Sequence, residues 1–329
     1  MQNGKVARLL AGLVIGLSVG PAARAEDAGT AEQIVDAMNT LFGKHDGLRA
    51  NHAKGVVAQG SFTPSPEAAK LSKASLFQGP AVPVTVRFSD ATGLPKIPDG
   101  SPKANPHGMS MKFKLSDGAE MDVVANALKF FPVATGEEFR DLLKAVAVSG
   151  PDAVHPTALE KFVQAHPTVA TATASAETPS SFARQTYHGV NAFIFVDQDG
   201  NRQPFRFHFV PVAGDDILPA DEAAKRGPNY LMEEIGPRLA KEPVSFRMLA
   251  QLAEPGDPTN DATKPWPDAR KTVDLGTLTV AKAVPDSAEA EKALLFMPNA
   301  LTDGIEVSDD PLIDARVQAY AISFGRRTQ

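Results

Sequence analysis

The clearest signal along the chain is a period of two. In "NAFIFV" and "PFRFHFVPV" the apolar positions alternate, with Phe205, Phe207 and Phe209 on one side, and the turn residues Asp197–Asn201 lie between the two runs. That is the pattern of a β-hairpin. "VTVRFSD" (Val84–Asp90), "MSMKFKL" (Met109–Leu115), "MDVVAN" (Met121–Asn126) and "TVDLGTLTV" are strand-like as well, and the Pro/Gly-rich "GLPKIPDGSPKANP" is a loop. A helical period replaces this one elsewhere. Thr30 is placed to cap a helix running to about Phe42, with Ile34, Met38, Leu41 and Phe42 on one side and Gly43 as its stop. Glu137 to Val148 forms a second helix with Phe139, Leu142, Leu143 and Val146 as its apolar face, and Asp221 to Leu252 reads as helical with a break near Gly236-Pro237. Ser149 to Ser181, rich in Ala, Thr and Pro, reads as a surface connection or short helices. No internal repeat is visible. Strands with clustered helices predict an α+β fold around a central antiparallel barrel, although the strand pattern alone does not separate barrel from sandwich.

A last helix starts at Asp310, a suitable N-cap, with Pro311 at its first position. On it Ile313, Arg316, Val317, Tyr320, Phe324 and Arg327 share one stripe. Arginines among buried apolar residues need anions. Arg316 and Tyr320 are an i, i+4 pair. A cation beside a phenol favours phenolate, a hard-oxygen ligand that can hold haem iron. Taken alone, the helix is more simply amphipathic, its arginines snorkelling and its tyrosine in the core. The cofactor reading needs support elsewhere in the chain.

Composition narrows the classes. The 329 residues are 43% apolar and 22% charged, with net charge −6 and no cysteine. A nucleic-acid partner would call for a basic face, and without thiols there is no disulfide, CxxC or covalent CxxCH haem chemistry. The first residues have the form of an export leader: Lys5 and Arg8, the apolar run Leu9–Val19, and Ala23-Arg24-Ala25 as a cleavage site before Glu26. The expected organisation is a signal peptide at 1–25 and one domain at 26–329, with the mature product periplasmic in a Gram-negative source and otherwise secreted. His45, His107, His155, His166, His188 and His208 show no HxxxH spacing, and no GxGxxG, P-loop or GxSxG motif is present.

Upstream, "LRANHAKGVVAQGSF" (Leu48–Phe62) sets Arg49 and His52 before a glycine-punctuated strand. This run, followed by "VRFSDATGLP", "HGMSMKFKLSDG", "DVVAN…FF", the hairpin and finally Arg-x-x-x-Tyr, resembles the haem catalase family in order and wording. The resemblance covers most of the chain after the leader. Because the chain ends within a few residues of the tyrosine helix, it looks like the minimal, catalase-related peroxidases. The resemblance implies a catalase-like barrel with peripheral helices and a non-covalent b-type haem, with no NADPH. It implies that His52 is the distal acid–base, that Ser89 orients its imidazole and that Asn126 is the distal amide. Tyr320 would be the iron ligand and Arg316 its charge partner, Arg49, Arg87 and Arg327 would meet the propionates, and Phe139 would pack on the porphyrin. Three features depart from the family pattern: Asn51 before the distal His, His107 before Gly108 where catalases have Arg, and Lys129 in a spacing from Asn126 to Phe130-Phe131 that is one residue short. A more polar pocket without the long access channel is expected to admit larger substrates and to favour peroxidase chemistry over dismutation. The expected partners are a peroxide and a small organic donor, with neither nucleic acid nor membrane, in a monomer or dimer. Two other readings stay open: a haem enzyme that rearranges fatty-acid hydroperoxides, and a non-catalytic barrel that stores haem or an apolar ligand.

Overall fold

The computed structural model describes residues 22–329; the expected leader lies outside them except for its last four residues. Ten strands form one antiparallel sheet: β1 (Gly55–Pro64), β2 (Val82–Ser89), β3 (Gly108–Lys114), β4 (Glu120–Asn126), β5 (Tyr187–His188), β6 (Phe193–Val196), β7 (Arg202–Pro211), β8 (Val244–Leu252), β9 (Thr272–Ala283) and β10 (Ile305–Val307). Eight of them run in the order β7-β5-β4-β3-β2-β1-β9-β8, and the β7–β8 pairing closes the ring. The outcome is a barrel, with β6 paired to β7 and β10 to β6 beside it. Closure leaves the eight strands no open edge to protect.

The period of two decides what faces in. Val84, Val86 and Phe88 of β2, Met109, Met111 and Phe113 of β3, Met121, Val123 and Ala125 of β4, and Phe205, Phe207 and Phe209 of β7 are buried in one core cluster. Their neighbours point outward, so a one-residue slip would exchange the two faces.

The expected helix from Asp221 to Leu252 is corrected. Tyr230–Lys241 is helical and continues through Pro237, but Val244–Leu252 is β8. Its Leu, Met and Ala residues are good helix formers. Pairing on both edges, with β7 and with β9, overrides that preference and turns Phe246, Met248 and Ala250 into the barrel.

The N-terminal helix also starts earlier than expected, at Ala22, so Thr30 is interior rather than a cap. The alanine-rich residues before it favour helix, and the Thr30 hydroxyl instead donates to Glu137 Oε1 at 3.1 Å. Gly43, at φ +84°, ends that helix as expected. The middle helix Gly136–Ala147 and the C-terminal helix Pro311–Arg327 keep their predicted places, capped by Thr135 and Asp310. Ala31, Ile34, Val35, Leu143 and Ala319 join these three helices in a second, smaller core. Arg326 binds Asp36 at 2.6 Å and Glu32 at 3.0 Å, which ties the chain's end to the N-terminal helix. Among the described residues no helix is long and apolar enough to cross a membrane.

Phe205 is fully buried and stacks on Phe195 with ring centroids 3.5 Å apart. Phe205→Ala is expected to cost about 3–5 kcal/mol, read as a lower denaturation midpoint in urea.

Candidate active site

Between the helical layer and the outer face of β2–β4 lies a cavity of about 1230 Å³ of empty space, counting its mouth. All nine residues singled out from the sequence line it: Arg49, His52, Arg87, Ser89, Asn126, Phe139, Arg316, Tyr320 and Arg327. The sheet explains the grouping on its wall. Ser89, Gly108 and Asn126 lie opposite one another across β2, β3 and β4, and Arg87, Ser110 and Val124 form the next outward-facing row. Ile34, Val35 and Met38 of the N-terminal helix, with Phe131, Phe139 and Phe296, give the cavity its apolar surface.

His52 sits just before β1 and is the only non-glycine residue with positive φ among the described residues, at +54°. Left-handed backbone at such a residue costs about 1–3 kcal/mol. The surroundings hold it there: Arg87 Nη2 donates to the His52 carbonyl at 2.8 Å, and Ala53 N donates to Thr92 O at 2.9 Å. The ring's Nδ1 is 3.0 Å from Ser89 Oγ. The imidazole lies over Gly108, where a Cβ would come within 3.1 Å of its Cε1 and 3.0 Å of Ser89 Oγ. Burial first, then the charges of Arg87 and Arg49, lower the His52 pKa to about 3, so the ring is neutral through the physiological range. Asn126 Oδ1 accepts from Leu128 N at 2.8 Å, which leaves the amide N–H groups as its donors toward the cavity.

Arg49, Arg87 and Arg327 gather at one edge of the cavity around a single carboxylate that the sequence did not flag. Glu291 Oε2 lies 2.9 Å from Arg49 Nη1 and 2.9 Å from Arg87 Nη2. Leu294 O accepts from Arg49 Nη2 at 2.8 Å and also from Arg327 Nη2. Gly55 makes room for this cluster, because a Cβ there would fall 2.4 Å from Arg87 Nη2. The cluster is electron-poor. Burial and the like charges of Arg87 and Arg327 push Arg49 down, and Arg87 Nε and Arg327 Nε are buried without an acceptor among the described residues.

The helical wall carries Tyr320. Arg316 Nε donates to Tyr320 Oη at 3.2 Å, and Arg316 Nη1 donates to Asn191 Oδ1. Asn191 Nδ2 in turn donates to Asp310 Oδ2 at 2.8 Å, while Asp310 Oδ1 caps the helix through Leu312 N at 3.0 Å. A chain of hydrogen bonds therefore runs from the helix cap to the phenol. Asp310 was legible only as a cap; Asn191 was read only as the start of a strand. The face turned to the cavity carries Leu312, Ala315, Ala319 and Ser323 beside the three charged or phenolic residues, in place of the expected Ile313, Val317 and Phe324.

The remaining histidines include two surprises. His107 is fully buried, with Nε2 3.4 Å from Asp90 Oδ1, and does not line the cavity, so it adds nothing to the polarity expected of the pocket. His188 and His208 meet across β5 and β7 with their Nδ1 atoms 2.6 Å apart. Burial is the first cause that lowers His107 to about 4, His188 to about 3 and His208 to about 4. With His52, four groups then have folded pKa values below the unfolded value, so the unfolded chain takes up protons first as the pH falls through about 6.5. Asp90, raised to about 8 chiefly by burial and by Asp99, acts in the opposite sense, as do Asp122 and Asp310, raised first by burial. The four histidines outnumber these three carboxylates below about pH 6.5, and above it Asp90 still lowers stability as the pH rises. Stability is expected to be greatest near pH 6.5 and to fall toward pH 5, each histidine contributing up to about 1.4 kcal/mol per pH unit. Thermal melts of the cofactor-free chain at pH 7 and pH 5 check this; an equal or higher melting temperature at pH 5 contradicts it.

Comparison with known proteins agrees with this arrangement. The Catalase family model matches residues 38–328. The catalase-related peroxidase of Mycolicibacterium paratuberculosis is 36% identical over 303 residues, covering 91% of this chain and 95% of that protein. The catalase-related peroxidase of Synechococcus elongatus is 32% identical over 327 residues, covering 97% and 95%. A bacterial catalase structure superposes with a TM-score of 0.75 at 20% identity, and catalase A from Saccharomyces cerevisiae with 0.75 at 18%. This chain spans 64% and 62% of those two catalases, and it covers nearly the whole length of the shorter peroxidases. With the same barrel and the matching sequence over most of its length, the chain belongs to the catalase family.

Proposed function

We propose that this is a haem-dependent peroxidase that reduces hydrogen peroxide or organic peroxides while oxidising a small donor. The observation that carries the reading is the pairing, in one cavity, of a neutral imidazole on the sheet wall with an arginine-backed phenol on the helical wall. The residues fit a haem on their own chemistry. Tyr320 offers an oxygen ligand, the three guanidiniums exceed the one carboxylate among them, and orphaned N–H donors await carboxylates. With no cysteine, attachment is non-covalent, and no NADPH is assigned.

Haem supplies, when bound, the redox-active iron that peroxide oxidises. The chain's residues handle position and protons. With Ser89 Oγ accepting from Nδ1–H, His52 keeps Nε2 bare, ready to take a proton from one peroxide oxygen and return it to the other. Asn126 directs its amide donors at the peroxide. Arg316, fixed by Asn191, holds in place the Tyr320 oxygen that would ligate the iron. Arg49, Arg87 and Arg327 orient the cofactor through its carboxylates, and Phe139, packed on Phe131 at 5.3 Å, offers an apolar surface to the ring.

Asn51 lines the cavity beside His52 and favours keeping one second reading, the rearrangement of fatty-acid hydroperoxides without a donor. Product analysis with a lipid hydroperoxide separates the two. The organisation proposed is a cleaved leader at 1–25 and one domain at 26–329, exported to the periplasm and acting as a monomer or dimer.

Tyr320→Phe is expected to lose or weaken haem, seen as a diminished or shifted Soret band. His52→Gln is expected to retain the band and lose about 10²–10⁴-fold in turnover. The reverse pattern overturns the role assignment. In the wild type, donor oxidation should outpace oxygen release; fast oxygen release without donor oxidation excludes the peroxidase reading.

A further inference from the structure

We propose that Glu291 is an internal counter-ion that fills the carboxylate-binding edge of the cavity and competes with the cofactor's own carboxylates for Arg49 and Arg87. The proposal rests on the haem reading above and adds to it a residue outside the expected set.

The geometry is specific. One oxygen of Glu291 receives both a donor from Arg49 and a donor from Arg87, each at 2.9 Å. Arg87 is 3% exposed by its side chain and Glu291 12%, so this is a largely dry ion pair rather than a surface contact. A guanidinium in such a place demands an anion. Glu291 is the anion that meets both Arg49 and Arg87.

The segment around Glu291 is tied to the same cluster. It lies in the short helix Ser287–Lys292, anchored to the barrel where Val57 N donates to Ser287 Oγ at 3.0 Å. Three residues on, the Leu294 carbonyl accepts from Arg49 and Arg327. Leu294, Leu295 and Phe296 then line the cavity. The arginines therefore clamp 291–296 over the edge that a cofactor carboxylate must approach.

Two consequences follow. In the empty protein Glu291 keeps the three like charges from driving the edge apart. In the loaded protein its charge stands against the incoming carboxylates, which must share donors with it or displace it. Of the nitrogens of Arg49, Arg87 and Arg327, Arg87 Nε and Arg327 Nε are the two buried with no acceptor to give up among the described residues. Glu291 thus stabilises the empty form and loosens the loaded one.

The test compares wild type, Glu291→Gln and Glu291→Asp, with Glu289→Gln as a control on the exposed side of the same short helix. Each is melted without haem, and each is loaded with haem and mixed with excess apomyoglobin to follow haem release by the Soret change. Glu291→Gln is expected to melt lower when empty and to release haem about tenfold more slowly when loaded. Glu291→Asp, which keeps the charge with a shorter reach, should fall between it and wild type and carries the comparison if Glu291→Gln does not fold. Glu289→Gln should match wild type in both measurements. Release from Glu291→Gln at the wild-type rate or faster overturns the proposal, as does an unchanged melting temperature of the empty form. A wild type that takes up no haem overturns the haem reading instead, so the two failures are distinct.

Discussion

The buried guanidinium of Arg87 is the constraint on which the rest of the site depends. It donates to the carbonyl of His52, and that contact holds the histidine in a left-handed backbone conformation that an L side chain otherwise avoids. It also meets Glu291 at the cavity edge. A charge placed in the wall of a barrel is costly unless acceptors meet it. Here the acceptors, both on Nη2, come from the loop before β1 and from the short helix beyond β9, so partnering one side chain brings two distant segments to the sheet, while Nε has no acceptor among the described residues. Gly55 is part of the same solution, since any side chain there would occupy the guanidinium's place.

The alternation of the strands lets one sheet serve two purposes. Phe88, Met109 and Ala125 fill the barrel, while Ser89, Gly108 and Asn126, one position along each strand, form a row on its outside. The barrel core fixes the register, and the register fixes that row to within the spacing of paired strands. Reactive groups placed this way inherit the rigidity of the hydrophobic core. The helical wall is held differently. Tyr320 is oriented by Arg316, Arg316 by Asn191, and Asn191 by Asp310, which also caps the helix. Cap and phenol are thereby parts of one network, and the ties from Arg326 to Asp36 and Glu32 keep the last turn of the chain in place.

Much of this is legible in the sequence. The hairpin, the three strands of the sheet wall and the capped terminal helix follow from local periodicity and capping chemistry, which depend on neighbours in sequence. The site residues were legible for another reason: Arg49, His52, Ser89 and the Arg316–Tyr320 pair sit in motifs whose order resembles a family. Two failures were local preferences overruled. Val244–Leu252 has the composition of a helix but pairs with β7 and β9, and Thr30 has the chemistry of a cap but lies inside a helix begun by alanines.

What the sequence determined by itself, then, is the period of each segment and the chemical types available: an imidazole, a phenol, an amide and four guanidiniums. Only the tertiary structure decided which of them share a cavity and what balances them. Glu291 meets Arg87 across 204 residues, and Arg316 reaches Asn191 across 125. Neither partner carries a local signal, because a carboxylate in a short surface helix and an amide at a strand's start are ordinary residues until a buried charge needs them. His188 and His208, twenty positions apart, met for the same kind of reason. Closing the barrel fixed which strands pair, and strand pairing sets side chains together regardless of their distance along the chain.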